Sequence, residues 1–597
     1  MANAKTWQQE QMEKAEDLLF SEERLPSFVK GLFMGAFDAA RVLPFPQPTM
    51  EERKSADAFI HSLSTWADAH LNPDTIDRQS DIPGDVIRGL ADLGVLSCTI
   101  PHEFGGQGIS QYGYCRMVEE VARRCQSTAL FINAHQSIGM KALLLFGTDE
   151  QKGRWLPPLA RGDVLAAFAL TEPNAGSDAA GVETRAVYDA ERDVYRITGR
   201  KQWITNGGIA GILTVMAQTE VETPKGREDK ITAFLVTPDM PGFEVEDVAL
   251  EKVGMRGTKT AKLRFTDMEV PAANILGPKG GGLKVALTVL DFGRTTFGAG
   301  CTGNAKECLR LAVEHARTRH QFKRPLASFG MVKSMIAGMA ARVYAMEAST
   351  YLTAGLLDRG EEDFMLETAI IKVFCSECQW QILYDTMQIY GGRSFFTDHP
   401  FERMMRDARL NTIGEGSNEV LRAFIGVVGV RDLGVRLKDM HDSVLTNPIH
   451  ALGKMLHLGK DYSKSVRAPL VPVRSAAIAE EAGELGARVR RFGLAIPRLL
   501  AKYREGLVEE QLRINRIATA AIALYTVTAV IGRLDSELHS ANGGGEMAKG
   551  NLSAGKLYCR MAFAEFDAAL DSLFKNDDES IYAVSDEVTG VTWPAES

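Results

Sequence analysis

The chain of 597 residues is 45% hydrophobic and 24% charged, the balance of a globular protein long enough for several cores. Its formal net charge of −9 and pI near 5.8 argue against a nucleic-acid partner, which ordinarily needs a basic surface. Eight cysteines are scattered without a paired metal-ligand spacing, so no metal site is expected and the compartment reads as reducing and cytoplasmic.

Residues 1–49 form a lead-in that opens with "MANAKTWQQEQMEKAEDLLF". This is an amphipathic helical pattern, neither an Arg-rich transit peptide nor an apolar signal core. Residues 50–163 read as helices: "IPGDVIRGLADLGVLS" and "YCRMVEEVARRC" carry apolar residues at helical spacing, separated by the Gly-rich "PHEFGGQG". From 164 to 280 the pattern changes to short β-branched and aromatic runs such as "VYRITGRKQWITN", "ILTVMAQTE" and "KITAFLVTP". Turn residues separate them at regular intervals, which predicts an antiparallel barrel or sandwich. Long helices return over 281–433 and predict a bundle of four. A compositionally distinct helical stretch, 434–597, follows as an extra domain. The fold class is therefore α+β.

Two apolar features are read as packing. Cys375 and Cys378 form a lone C-x-x-C inside "IIKVFCSECQWQILY", whose spacing is that of a core helix. "IATAAIALYTVTAVIG", 517–532, is uncharged but shorter than the roughly 20 residues that span a bilayer. Ile517, Ala521, Leu524, Val527, Ile531 and Leu534 recur at steps of three and four, so a buried helix is expected and a membrane span is not.

Three stretches carry candidate chemistry. "FALTEPNAGSDAAG", 168–181, is a polar loop whose Thr171, Gly176, Ser177 and backbone N–H groups suit a flat cofactor or a pyrophosphate, or equally a plain hairpin. "KQWITNGG", 201–208, places Trp203 and Thr205 two apart, on one strand face; core packing accounts for the indole as readily. "NTIGEGSNEVLRAF", 411–424, sets Glu415 between Gly414 and Gly416, just ahead of a helix that Ser417 is placed to cap. Alone it reads as an acidic turn favoured by the helix dipole.

Together these stretches resemble the acyl-CoA dehydrogenase family, with five motifs in family order over residues of about 50–433. "LTEPNAGSD" resembles the loop over the flavin. The resemblance implies FAD contacts at Phe168, Leu170, Thr171, Gly176 and Ser177, with Ser177 also facing substrate. "WITNGG" resembles the strand behind the isoalloxazine, with Trp203 and Thr205. "RHQFKRPLASFG", 319–330, resembles the segment by which Arg319 and Phe322 reach a neighbouring subunit's FAD, which implies at least a homodimer. "MQIYGGRSF", 387–395, resembles the segment that closes on the adenine half through Gln388, Gly391 and Gly392. "RDARLNTIGEGSNEVLR", 406–422, resembles the end of the bundle that bears the base, with Ser417 and Glu419 at cofactor positions and Gly416 at a substrate position.

The resemblance implies that the Glu415 carboxylate removes the α-proton of an acyl-CoA while the β-hydrogen leaves as hydride to flavin N5. The thioester oxygen is then held by the Glu415 N–H and an FAD ribityl hydroxyl. Some branches place the base on another helix, at the position of "LDFGRTTFG" occupied here by Phe292 and Gly293. Neither can act as a base, so the role rests on Glu415. In the same segment Asp291 and Arg294 match positions near substrate, or form a helix-surface pair. Three departures from the common pattern occur: Lys323 for a glycine, Gly330 for a Gln, and Asn174 for Gly or Ala.

Within the family the likeness is to the very-long-chain acyl-CoA dehydrogenase branch, through "SFVKGLFMGAFDAARVLPFP", "NAHQSIG" and the extension of about 160 residues. This implies α,β-dehydrogenation of a long fatty acyl-CoA to the trans-2-enoyl-CoA, with electrons passed to electron-transfer flavoprotein. An acyl-CoA oxidase, or an assembly scaffold for a respiratory complex, stays open beside it. Residues 453–506 hold eleven Lys or Arg against five Asp or Glu, so 440–510 is expected either to touch an anionic inner-membrane surface peripherally or to pack on the protein.

Overall fold

The computed structural model describes residues 27–224, 226–446, 467–539 and 546–591, without the side chains of 436–446 and 546–548. The chain divides into two compact units. One runs from Pro46 to Asn418; the other joins Pro26–Phe45 to Glu419–Ser597.

In the first unit, Met50–His70 begins with a capping box in which Thr49 and Glu52 satisfy each other's backbone N–H groups. Its Leu63 and Ala67 join Val86, Leu90, Tyr114, Val118 and Phe131 in one apolar cluster. Gln126–Asn133 passes into a π-helical stretch, Ala134–Met140, and then into Lys141–Phe146. Wide turns of this kind are rare and gather at functional sites.

The middle of the unit is an eight-stranded sheet: β1 Ala166–Ala169, β2 Arg185–Asp189, β3 Val194–Thr205, β4 Ile212–Thr223, β5 Gly226–Val236, β6 Phe243–Asp247, β7 Thr260–Pro271 and β8 Ile275–Leu276. The order is β6-β7-β3-β2-β4-β5-β8, with β1 on β4. Most pairings are antiparallel as the sequence suggests, but β1 and β2 both meet β4 in parallel, so the sheet is mixed. Alternation sorts its faces. Ala167, Leu213, Val215, Phe234, Leu263 and Phe265 share one core, whereas Ala166, Phe168, Met216, Ala233 and Leu235 pack with Leu143, Leu156 and Val285 of the helices.

Three long helices follow: Gly282–Thr318, Gly330–Asp358 and Met365–Tyr390. Close approach is set by glycine; a Cβ at Gly298 would lie 2.2 Å from Ile371 Cγ2. Cys375 and Cys378 are buried in the third helix, and burial pushes the Cys375 thiol up to about 12, so the pair is structural. The fourth helix of the expected bundle, Asn418–Thr446, falls in the second unit from Glu419 onward.

The second unit also contains Ala479–Tyr503, Gln511–His539, Glu546–Asp571 and Asp578–Thr589. Residues 27–45 of the lead-in fold here, while the amphipathic pattern expected at its start lies outside the described residues: Phe33 meets Phe492 with ring centroids 4.9 Å apart, and a Cβ at Gly429 would lie 2.1 Å from Phe33 Cζ. The periodic residues Ile517, Ala521, Leu524, Val527, Ile531 and Leu534 are all buried. Gln126–Phe146 and Gln511–His539 are long and apolar enough to cross a membrane, yet both are mostly buried within the protein, as core helices are.

Candidate active site

The Glu415 loop joins Phe401–Leu410 to the helix beginning at Asn418. Its strain sits on the acid itself: Glu415 has φ +59 and Gly416 φ +91, whereas Gly414 needs no glycine conformation. A non-glycine residue in this left-handed region costs about 1–2 kcal/mol, so the surroundings must hold it. Two buried cations do. Lys372 donates to the Gly416 carbonyl at 2.7 Å and to Asn418 Oδ1 at 2.8 Å. Arg294 Nε approaches the Glu415 carbonyl at 3.5 Å. Asn418 also donates to Ser376 Oγ at 3.0 Å, and Asn411 to Gln379 Oε1 at 2.7 Å.

The carboxylate is directed inward. A Cβ added at Gly293 would lie 3.5 Å from Glu415 Oε2 and 3.1 Å from Ile138 Cγ2, so the glycine leaves the space that the acid uses. Oε2 is buried and, among the described residues, has no hydrogen-bond partner. Burial pushes the Glu415 carboxyl up, while the Arg294 and Lys372 cations pull it back. A half-buried glutamate with one oxygen enclosed and unpartnered and a raised pKa suits removal of a weakly acidic carbon-bound proton. Asp291 and Arg294 are no surface pair. Both are buried, 2.8 Å apart, and Thr368 Oγ1 also donates to Asp291, whose carboxyl burial pushes up to about 6 against the pull of Arg294.

A second cluster lies on the sheet. β3 gains one residue against β7 between Lys201 and Ile204, and Trp203 has φ +60 at this bulge. The bulge turns the indole outward: Trp203 is 58% exposed, so core packing does not explain it. Gln202 N–H donates to the Thr171 carbonyl at 2.9 Å, tying the 168–181 loop to this strand. Beneath, Lys201 Nζ donates to Glu172 Oε1 at 2.6 Å and to the Leu170 carbonyl at 3.1 Å. The Glu172 carboxylate accepts from the N–H groups of Glu183 and Thr184. Phe168 is buried in the core of the unit, and Leu170 packs against it, whereas Gly176 and Ser177 are exposed.

Of the remaining positions, Thr205, Gly416 and Ser417 are half-buried and the others are exposed. Arg319 follows the 282–318 helix and leads into the hairpin β9 His320–Gln321 and β10 Arg324–Pro325. The hairpin's two-residue turn has Phe322 at φ +50 and Lys323 at φ +63, the form that matches strand twist, and it lifts Phe322 to 86% exposure. Gln388, Gly391 and Gly392 end the 365–390 helix, where Gly391 has φ +61. His315 stacked on Tyr390 at 4.1 Å brings this end beside that of the 282–318 helix. Ser417 stands just before Asn418, and Glu419 is exposed in the first turn of the Asn418–Thr446 helix.

Sequence reasoning missed Lys372, Lys201 and Glu172. A lysine at an apolar helix position was the available signal for the first. "NAHQSIG" also has a structural part: His135 Nδ1 accepts from Ala166 N–H and Nε2 bonds the Leu96 carbonyl, and burial pushes this ring down to about 4, keeping it neutral.

A flat cofactor fits these residues. A Cβ at Gly176 or Gly392 would meet no atom of the chain, and neither glycine has a positive φ, so the fold itself does not demand glycine there. An open indole face, glycine-bared backbone and an inward carboxylate oxygen without a partner suit a flavin-type oxidoreductase. Family profiles agree along the chain: acyl-CoA dehydrogenase N-terminal domain over 53–163, middle domain over 167–268, C-terminal domain over 280–428, and ACAD9/ACADV C-terminal domain over 476–592. The chain belongs to the acyl-CoA dehydrogenase family, as an FAD-dependent oxidoreductase acting on acyl-CoA.

Human very long-chain specific acyl-CoA dehydrogenase is 35% identical over 520 residues, 86% of this chain and 79% of that protein. The probable acyl-CoA dehydrogenase FadE10 of Mycobacterium tuberculosis is 32% identical over 594 residues, 94% of this chain and 88% of its own. An acyl-CoA dehydrogenase from Bacillus anthracis complexed with FAD superposes with a TM-score of 0.78 at 26% identity, covering 95% of this chain and 96% of that one. Butyryl-CoA dehydrogenase from Megasphaera elsdenii gives 0.60 at 32% identity, over 64% of this chain and 99% of its own.

Proposed function

We propose that the protein dehydrogenates long-chain fatty acyl-CoA to the trans-2-enoyl-CoA and hands the electrons to electron-transfer flavoprotein. The observation that carries the reading is the Glu415 carboxylate, buried against Gly293 with Oε2 unpartnered. Glu415 takes the α-proton. Lys372 and Arg294 hold its loop by the backbone, so the strained residue is positioned before substrate arrives. Enclosure of Oε2 keeps water from that oxygen and raises the basicity of the carboxylate. FAD, when bound, supplies the acceptor for the β-hydrogen as hydride. Trp203, Thr171 and Ser177 would hold it from the sheet, and Arg319 and Phe322 from a partner copy, which makes the working unit a homodimer.

Glu415→Gln tests the base. FAD stays bound, while acyl-CoA no longer bleaches the flavin band, with a rate loss of at least about 10²–10⁴. Bleaching at the wild-type rate overturns the assignment. Hydrogen peroxide formed without an added acceptor would favour an oxidase instead.

Peripheral contact with an anionic membrane in the cell interior through 440–510 belongs to the same proposal. Residues 447–466 lie outside the described residues. In the remainder, Arg474 pairs with Asp535, Arg488 with Asp567, and Arg491 with Asp567 and Asp571, so the attraction would rest on the other cations. Co-sedimentation with phosphatidylserine vesicles that is lost at high salt supports it; none at low salt removes it.

A further inference from the structure

One cation near the site has no counterpart. Lys141 follows the π-helical stretch directly and is only 8% exposed. Among the described residues its ammonium has no hydrogen-bond acceptor and no ion-pair partner; it lies over the Phe292 ring, 4.6 Å from the centroid. The acid whose field reaches it, Asp358, is engaged elsewhere, accepting from the N–H groups of Gln111 at 2.7 Å and Tyr112 at 2.9 Å. Burial pushes Lys141 down to about 8. Its contact with Phe292 offsets only part of the cost of withdrawing an ammonium from water. A methionine would fill the same volume without that cost, so packing does not account for the charge.

Position suggests what does. Ile138, one turn earlier, meets Gly293, and Gly293 faces the Glu415 carboxylate. Phe292 adjoins Gly293. Ile138, Phe292 and Phe364 all stay half-buried, and the two rings meet edge to face at 5.5 Å. Lys141 therefore lies beside Ile138 and Phe292, the neighbours of the surface that the base faces, and both keep area open to a ligand.

We propose that Lys141 donates a hydrogen bond to an oxygen carried by the acyl-CoA substrate and so helps to select among acyl-CoAs, a role that rests on Glu415 marking the reacting end. Two parts of the substrate carry such an oxygen: the CoA arm, through an amide or phosphate, and an acyl chain that bears a terminal carboxylate.

FAD-loaded wild type and Lys141→Met are compared on three substrates: a long saturated acyl-CoA, its ω-carboxy counterpart, and the N-acetylcysteamine thioester of the saturated acid. Removing the donor is expected to raise KM about ten- to hundredfold with kcat nearly unchanged, wherever the substrate supplies the oxygen. A rise with both CoA thioesters assigns the CoA arm: its cysteamine amide where the N-acetylcysteamine ester, which keeps that amide, rises too, and the rest of the arm where it does not. A rise confined to the ω-carboxy substrate assigns the chain. Equal KM values for wild type and variant on all three substrates, or a fall in kcat alone, overturn the inference. A wild type inactive on all three overturns the acyl-CoA reading beneath it. Should Lys141→Met not retain flavin, the same comparison is decided on Lys141→Gln.

Discussion

Replacing Lys201 by methionine removes one charge from the pair that pins the 170–184 loop to β3. Lys201 Nζ and Glu172 Oε1 are 2.6 Å apart, with side chains 0% and 2% exposed, so solvent screening does not soften the loss. Methionine keeps the volume but leaves the Glu172 carboxylate buried with only the Glu183 and Thr184 N–H groups. Stranding one member of a buried ion pair costs about 3–5 kcal/mol. Releasing the loop relieves that cost, and at about tenfold per 1.4 kcal/mol the ordered population falls by roughly 100-fold or more. The loop carries Thr171, Gly176 and Ser177, so the assay is FAD retention, followed by flavin absorbance after ultrafiltration against graded free FAD. The expected outcome is affinity weakened by about 100-fold or more. Lys201→Met combined with Glu172→Gln recovers part of it, because the amide still accepts from the N–H groups without a stranded charge. A single variant that binds FAD within about twofold of wild type refutes the reasoning, as does a double variant worse than either single.

Two further predictions concern the base and the hairpin. The Glu415 carboxyl is pushed up by burial and pulled down by Arg294 and Lys372, and it works ionised, so the acid limb of kcat/KM lies above the ordinary glutamate range. Lys372→Met removes one of the cations that lower it: the limb moves to higher pH, and the plateau falls because the Gly416 carbonyl loses its donor. A limb that moves to lower pH refutes this. At the hairpin turn, Lys323 at φ +63 tolerates glycine but not a β-branched side chain. Lys323→Gly should leave thermal stability and FAD retention within about 1 kcal/mol of wild type, whereas Lys323→Val lowers both, as melting curves and flavin release will show.

Much of the architecture was legible because it rests on periodicity. The 517–532 run shows its buried face at steps of three and four, and β4 and β5 alternate between two cores as their residue order implies. The bulge at Trp203 was not legible, since one extra residue on β3 leaves no mark in its own alternation until β7 is laid beside it. The same holds for the fourth bundle helix: its glycines 426 and 429 meet Ile514 and Phe33, which are remote in sequence.

For the site, the family resemblance pointed to Glu415 as the proposed base, since Phe292 and Gly293 at the alternative position cannot act as one, and local sequence marked the loops bare enough for a flat cofactor. What holds these groups was decided only in three dimensions. Lys372 reaches Gly416 across 44 positions and Lys201 reaches Glu172 across 29. A buried charge is stable only beside its partner, and chain folding alone brings the two together.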